Sequence, residues 1–145
     1  MYKRQGYEWF SFARPKIRAN GQLDGCGGVA LAVNINNFNC SRLSFPADSK
    51  LEFVWVKLIP ARKCEVKVII ICALYSKPNS RSKTLLSDHI ALNFNYLKTK
   101  YQEPKFVFLG DFNDYKPDTI LQLSPQLRQV VHFPCLLYTS PSPRD

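Results

Sequence analysis

The sequence is poor in acidic residues, in histidine and in long apolar stretches. Its 145 residues contain 11 Asp and Glu against 20 Lys and Arg, which gives a formal net charge of +9, and only two histidines. No stretch approaches the roughly 18–20 apolar residues of a membrane span, and residues 1–7 lack the apolar core of a secretory signal. We therefore expect an intracellular protein. Its positive field favours polyanions, nucleic acid first and an anionic membrane second.

Cysteine patterns that bind zinc are also missing. The five cysteines are scattered, without a Cys-x-x-Cys pair and without a histidine at zinc spacing. Cys72 lies in an apolar run, where a thiol behaves as a small hydrophobic group. We expect all five to be structural, in a reducing compartment.

Apolar residues are abundant enough for a core. They make up 46% of the chain, which argues against disorder and fits one ordinary domain. The pattern predicts strands at 7–14, 29–33, 51–58, 66–74, 105–109 and the start of one at 129–133, with a turn at 25–28. The strands at 29–33, 66–74 and 105–109 are apolar apart from Lys67 and Lys105, so we expect them to be buried.

One segment, 82–101, has the period of a helix. Its apolar residues fall three or four positions apart, on one face: Leu86, Ile90, Phe94, Leu97 and Tyr101. The order of strand 66–74, this helix and strand 105–109 predicts a βαβ unit with two parallel strands. The predicted fold is an α/β sandwich in residues 1–134.

Residues 135–145 do not continue this pattern. The segment is an abrupt Ser/Pro-rich tail that resembles the translated adapter-like sequence found at the ends of proteins from assembled transcripts. We exclude it from the fold as an artefactual tail; the alternative is a natural disordered tail.

Polar residues that can do chemistry follow the strand at 105–109. Gly110 allows a sharp turn, the Asp111 carboxylate can orient a water or hold a divalent metal, and the Asn113 amide can contact a phosphate oxygen. Cleaving a phosphodiester needs a positioned nucleophile and neutralisation of phosphoryl charge. The alternative is that Asp and Asn are here only as favoured turn residues.

A second polar loop, Tyr75–Asn79, follows the strand at 66–74. In a βαβ unit both loops open on the same edge of the sheet, so we expect Tyr75 near Asp111, where its hydroxyl could donate to a phosphate oxygen. Alternatively, Tyr75 is a half-buried aromatic at a strand end and Asn79 a turn residue.

Together these segments resemble the endonuclease/exonuclease/phosphatase family. Within it, the chain is most similar to the apurinic-type endonucleases of non-LTR (LINE-like) retrotransposons. The resemblance runs from about Tyr7 to Pro134 and is carried by 27–30, 75–79, the amphipathic helix, 106–113 and 124–134. It implies a four-layered α/β sandwich, incomplete here at both ends, that acts as a monomeric domain on DNA in the nucleus.

The resemblance also implies roles for three residues. Asp111 would align or activate the attacking water, Asn113 would contact the scissile phosphate and Tyr75 would hydrogen-bond it, with Mg²⁺ (or Mn²⁺) as cofactor. The family's metal-binding Glu, expected upstream of the matched region, and its terminal Asp-His pair are not matched, so no metal ligand is assigned. We therefore expect this polypeptide alone to be inactive or nearly so.

Other features fit less well. Asp88-His89 looks like the family's Asp-His pair but lies in the helical segment, so His89 is expected on the helix surface or half-buried. The basic residues Lys3, Arg4, Arg14, Lys16 and Arg18 could track a DNA backbone, with Tyr7, Trp9 and Phe10 among them, or form a solvated strand edge. Two other functions stay open: a non-catalytic nucleic-acid-binding remnant, and a phosphatase acting on small phosphate esters.

Overall fold

The chain folds as an α/β protein. The structure, a computed structural model, describes residues 6–13, 16–17, 23–24, 28–46, 51–77, 80–113 and 115–130. In chain order the elements are β1 (Tyr7–Ala13), β2 (Lys16–Ile17), β3 (Leu23–Asp24), β4 (Gly28–Asn34), β5 (Phe38–Leu43), β6 (Glu52–Pro60), β7 (Ile69–Tyr75), α1 (Ser80–Lys100), β8 (Lys105–Asp111) and α2 (Asp118–Leu121). None of the helices in these ranges has both the length and the apolar content that crossing a membrane requires.

A four-stranded sheet forms the centre, in the order β5-β6-β7-β8. Strands β5, β6 and β7 are antiparallel neighbours, whereas β7 and β8 are parallel. Parallel neighbours need a crossover connection, and α1 supplies it. The predicted βαβ unit is thereby confirmed.

The two faces of the sheet bury different residues because side chains alternate along each strand. On one face Trp55, Ile70 and Leu74 pack with α1. On the other face Val54 and Val56 pack against an antiparallel ribbon formed by β1 and β4. The described elements are therefore layered as helix, sheet and ribbon.

Helix α1 buries the predicted apolar face. Leu86, Ile90, Phe94 and Leu97 are each at most 2% exposed, and the Phe94 ring lies 4.3 Å from the Phe106 ring, centroid to centroid. The three- and four-residue spacing read from the sequence thus matches the face that covers the sheet.

Two strands expected to be buried are only partly so. In β4, Val33 is buried while its neighbours are half-buried or exposed, because the ribbon has a single covered face. In β8, Val107 is 41% exposed, since the ribbon packs on β6 and β7 and not over this strand in the described part of the chain. Within the run at 66–74, by contrast, residues 69–74 lie in β7 and are covered on both faces, as predicted, whereas residues 66–68 precede the strand.

Other sequence expectations failed or fall outside the described ranges. Strand β5 and helix α2 were not predicted. Gln129 and Val130 form no strand, and the rest of the expected strand at 129–133 is not described. The turn at 25–28 is described only at Gly28, and the tail at 135–145 lies outside the described residues. Cys40, Cys64 and Cys72 are free thiols; Cys72 is buried, as expected from its apolar run, whereas Cys64 is exposed.

Candidate functional site

The carboxyl ends of β7 and β8 lie side by side. Tyr75 and Asp111 are partners in the parallel register, so their side chains leave the sheet on the same face. It is the face that carries Ile71 and packs toward the ribbon. The prediction that the two loops open on one edge of the sheet is confirmed.

A turn fixes the positions of Asp111 and Asn113 relative to each other. The Asp111 Oδ1 atom accepts a hydrogen bond of 3.0 Å from the backbone N–H of Asn113. Asn113 has a φ of +47°, a left-handed conformation that asparagine tolerates better than most residues. The side chains of both residues are exposed at the sheet edge.

The loop after β8 is tied to the loop after β7 through Ser76. The backbone N–H of Ser76 donates to the Asp111 carbonyl oxygen at 2.9 Å. In return, the Asn113 side-chain amide nitrogen donates to the Ser76 carbonyl oxygen at 2.7 Å. These two bonds hold the Asn113 side chain against the end of β7.

The ends of β7 and β8 carry three kinds of polar group. Asp111 offers a carboxylate, Tyr75 a phenolic hydroxyl, and Asn113 an amide whose second hydrogen and carbonyl oxygen are not used by the bond to Ser76. A carboxylate can orient a water or hold a cation, while an amide and a hydroxyl can contact phosphate oxygens. The three residues predicted from the sequence are therefore brought together.

Two further charged residues at this edge were not singled out from the sequence. Glu52 begins β6 and pairs in register with Tyr75, on the side away from Asp111. Its carboxylate oxygen Oε1 lies 3.1 Å from Lys77 Nζ. The available signal was the presence of an acid in the strand at 51–58, which is apolar apart from Glu52 and Lys57. Asn79 lies outside the described residues.

The Asp88-His89 pair does not belong to this site. Asp88 is exposed on α1, as a helix position predicts. The expectation that His89 is at the surface or half-buried was wrong: it is 7% exposed, and its Nε2 atom accepts a hydrogen bond of 3.1 Å from Trp55 Nε1. Burial lowers the His89 pKa from 6.5 to about 4, so the ring is neutral at physiological pH.

The basic cluster near the start of the chain lies largely outside the described residues. Lys16 is in β2, and nothing is described of its side chain. The aromatic residues among the basic ones divide between the faces of the ribbon. Phe10 is buried against the sheet, whereas Tyr7 and Trp9 are exposed on the outer face.

The Ser76 hydroxyl leads to a testable prediction about stability. Ser76 is buried, and its Oγ atom has no hydrogen-bond partner among the described atoms. Since the site uses only its backbone, Ser76→Ala should leave the free energy of unfolding unchanged or raise it by up to about 1 kcal/mol. Ser87→Ala is the matched control. Its hydroxyl donates to Lys83 O at 2.9 Å, so urea unfolding should show a loss of about 1 kcal/mol. An equal loss in both variants would contradict this.

Comparisons of the chain with known protein families, curated proteins and solved structures found no match. Among the described residues, no group of three or more His, Cys, Asp or Glu side chains is placed to hold a metal ion.

Proposed function

We propose that this chain carries the phosphate-handling part of a divalent-metal-dependent phosphodiester hydrolase that nicks DNA, of the kind encoded by non-LTR retrotransposons. The observation that carries the proposal is the meeting of Tyr75, Asp111 and Asn113 at the carboxyl ends of two parallel strands. Ligand sites of α/β sheets lie at such edges, because the strands fix the loops that follow them.

Each side chain has a role that its chemistry allows. The Asp111 carboxylate aligns the attacking water and accepts its proton. The Asn113 amide, held by Ser76, donates its remaining hydrogen to an oxygen of the scissile phosphate, and the Tyr75 hydroxyl donates to another. Because the Asn113 amide is held in place before substrate binds, this donor needs little reorganisation when charge develops on the phosphoryl group.

The proposed cofactor is Mg²⁺ or Mn²⁺. Such ions are commonly bound by one or two carboxylates together with water and substrate phosphate oxygens, and the exposed Asp111 carboxylate fits that donor set. When bound, the metal would neutralise charge on the transferring phosphate. Glu52 is less suited to contribute, since its carboxylate is buried and already paired with Lys77.

The charge around the site favours DNA over a small phosphate ester. The chain as a whole carries +9. Arg81 and Lys83 lie in the first turn of α1, and Lys116 follows the end of β8, whereas Lys77, after β7, is paired with Glu52. A cationic surface around the reacting phosphate stabilises the neighbouring phosphates of a long polyanion, which a small ester lacks.

The layers support a four-layered sandwich as the complete fold. Helix, sheet and ribbon account for three layers. The outer face of the ribbon exposes Tyr7 and Trp9, each 41% exposed, and a further layer would cover them. The exposed Val107 in β8 likewise leaves apolar surface for additional structure on that side of the sheet.

Metal-dependent DNA binding tests the proposal without requiring turnover. The affinity of the chain for a fluorescent DNA duplex is measured by anisotropy, with Ca²⁺ or with a chelator. We expect the metal to raise the affinity of the wild type by roughly tenfold, because Asp111 would help to hold it and its positive charge would attract the DNA phosphates. Asp111→Asn should abolish this gain. With chelator instead of metal, Asp111→Asn should bind DNA at least as tightly as the wild type, because the substitution removes one negative charge.

Asp88→Asn is the matched control, because Asp88 is exposed on α1 and the substitution makes the same change in charge. It should keep the metal-dependent gain.

Salt-sensitive binding with no metal effect in the wild type would instead favour a non-catalytic nucleic-acid-binding protein. Metal-dependent hydrolysis of nucleotide or inositol phosphates, without a metal effect on DNA binding, would favour a phosphatase. Plasmid nicking in Mg²⁺ that Asp111→Ala leaves unchanged would rule out the role assigned to Asp111.

A further inference from the structure

A buried carboxylate lies on the same row of the sheet as the site. Glu52, Tyr75 and Asp111 are in register across β6, β7 and β8, so all three side chains leave the same face of the sheet. Glu52 is only 2% exposed, and the next residue on its face, Val54, is a core residue. An ionised carboxylate in such a place is costly unless a cation compensates it.

Lys77 supplies that cation from the loop after β7. Its Nζ atom lies 3.1 Å from Glu52 Oε1, and its side chain is 30% exposed. The ion pair therefore fastens the start of the β7–α1 loop to the first residue of β6. The loop is held from the opposite side by β8, through the bonds from Ser76 N–H to Asp111 O and from Asn113 Nδ2 to Ser76 O.

Ser76 thus lies between two restraints. On one side its chain neighbour Lys77 is fixed by Glu52, and on the other its carbonyl receives the Asn113 amide. A shift of the Ser76 carbonyl by a fraction of an ångström would turn the Asn113 amide, because a hydrogen bond of 2.7 Å leaves little freedom. Displacements of this size at a supporting residue are enough to impair a site.

We propose that Glu52 and Lys77 are positioning residues of the phosphate site: their ion pair sets the Ser76 carbonyl, which orients the Asn113 amide toward the phosphate. This proposal rests on the proposed function. The alternative is that the ion pair only stabilises the fold. Replacing the pair by apolar residues distinguishes these roles: stability is often kept when a buried ion pair is replaced in this way, whereas a positioning role would be lost.

The double variant Glu52→Leu/Lys77→Met separates these roles. It removes both charges and avoids leaving a buried carboxylate without its cation. We expect its thermal midpoint to stay within a few degrees of the wild type, while most of the roughly tenfold metal-dependent gain in DNA affinity is lost. Lys77→Arg, which keeps a cation and its hydrogen bonds, should retain the gain. If the double variant does not fold, Glu52→Gln/Lys77→Gln replaces it, since it keeps a polar pair of similar size.

Lys63→Met is the control for the Lys77→Met part of the double variant, because it also removes one lysine charge. Lys63 is exposed beyond the end of β6, at the edge of the sheet opposite to the site. Its loss should weaken DNA binding slightly and equally with metal and with chelator, because only the general phosphate attraction changes. A folded double variant that keeps the full metal-dependent gain would overturn the positioning role.

The Asn113 side-chain amide gives a readout that is independent of DNA. Its two NMR signals are assigned by their disappearance in Asn113→Asp. In the double variant we expect both signals to shift or broaden, while Lys63→Met leaves them in place. If the wild type shows no metal effect on DNA binding but these signals respond, the proposed function fails and the mechanical link remains. Unchanged signals would refute the link itself.

Discussion

Replacing Gly110 with alanine is expected to destabilise the chain more than any other single change near the site. Gly110 has a φ of +132°, a conformation that residues with a side chain rarely adopt. It is paired with Leu74, and an added Cβ would collide with the Leu74 carbonyl oxygen, a backbone atom that cannot turn aside. Either β8 moves away from β7 or the turn into Asp111 changes, so we expect a loss of about 3 kcal/mol or more.

Urea unfolding followed by circular dichroism measures this loss, with Gly6→Ala as the control. Gly6 also has a positive φ, +87°, but an added Cβ there would meet only the Asn36 side-chain amide, at 3.2 Å. That side chain can rotate, so the cost should be near the 1–2 kcal/mol of a left-handed residue. Equal losses in the two variants would show that close contact with Leu74 is not what requires glycine at position 110.

Lowering the pH from neutral to about 4 is expected to reduce the free energy of unfolding by about 2 to 3 kcal/mol through protonation of His89. The pKa of His89 falls from 6.5 to about 4 on folding because the ring is buried. Below pH 6.5 the unfolded chain therefore takes up a proton that the folded chain does not. The stability linked to neutral His89 is fully present above pH 6.5, falls as the pH drops, and levels off below pH 4, where the folded state also becomes protonated.

Protonation of His89 would also place a charge among aromatic rings. The His89 ring lies 4.0 Å from the Phe53 ring, centroid to centroid, and accepts the indole N–H of Trp55. The test compares the unfolding free energy of the wild type and of His89→Gln at neutral pH and at about pH 4. Glutamine can accept from Trp55 but does not titrate, so the acid loss should be smaller in this variant by about 2 to 3 kcal/mol. The titration of other groups contributes to both proteins alike. The same acid loss in both would refute the role of His89.

The spacing of apolar residues in the sequence predicted correctly the elements that are themselves strongly apolar. The strand that forms β7 is a continuous apolar run, and the face of α1 repeats every three or four residues, so each element could be predicted without knowledge of its partners. The pairing of Tyr75 with Asp111 followed from the same elements, because a strand, a helix and a strand place both loops on one edge.

Elements whose stability comes from a neighbour could not be predicted in this way. Strand β5 contains Asn39, Ser41 and Arg42, and lacks a continuous apolar pattern. It forms because β6 offers an edge to pair with. The burial of His89 depends likewise on Trp55, which is 34 residues away in the chain.

For the candidate site, the sequence alone determined which polar side chains lie at the strand ends: Tyr75, Asp111 and Asn113, with Gly110 directly before Asp111. Order along the chain is enough for this, since parallel strands joined by a helix end at one edge. Only the tertiary structure decided how these side chains are held. Glu52 comes from β6, and its ion pair with Lys77 and the bond from Asn113 to Ser76 join separate strands. Such contacts depend on register and on the paths of the loops, which no local pattern contains.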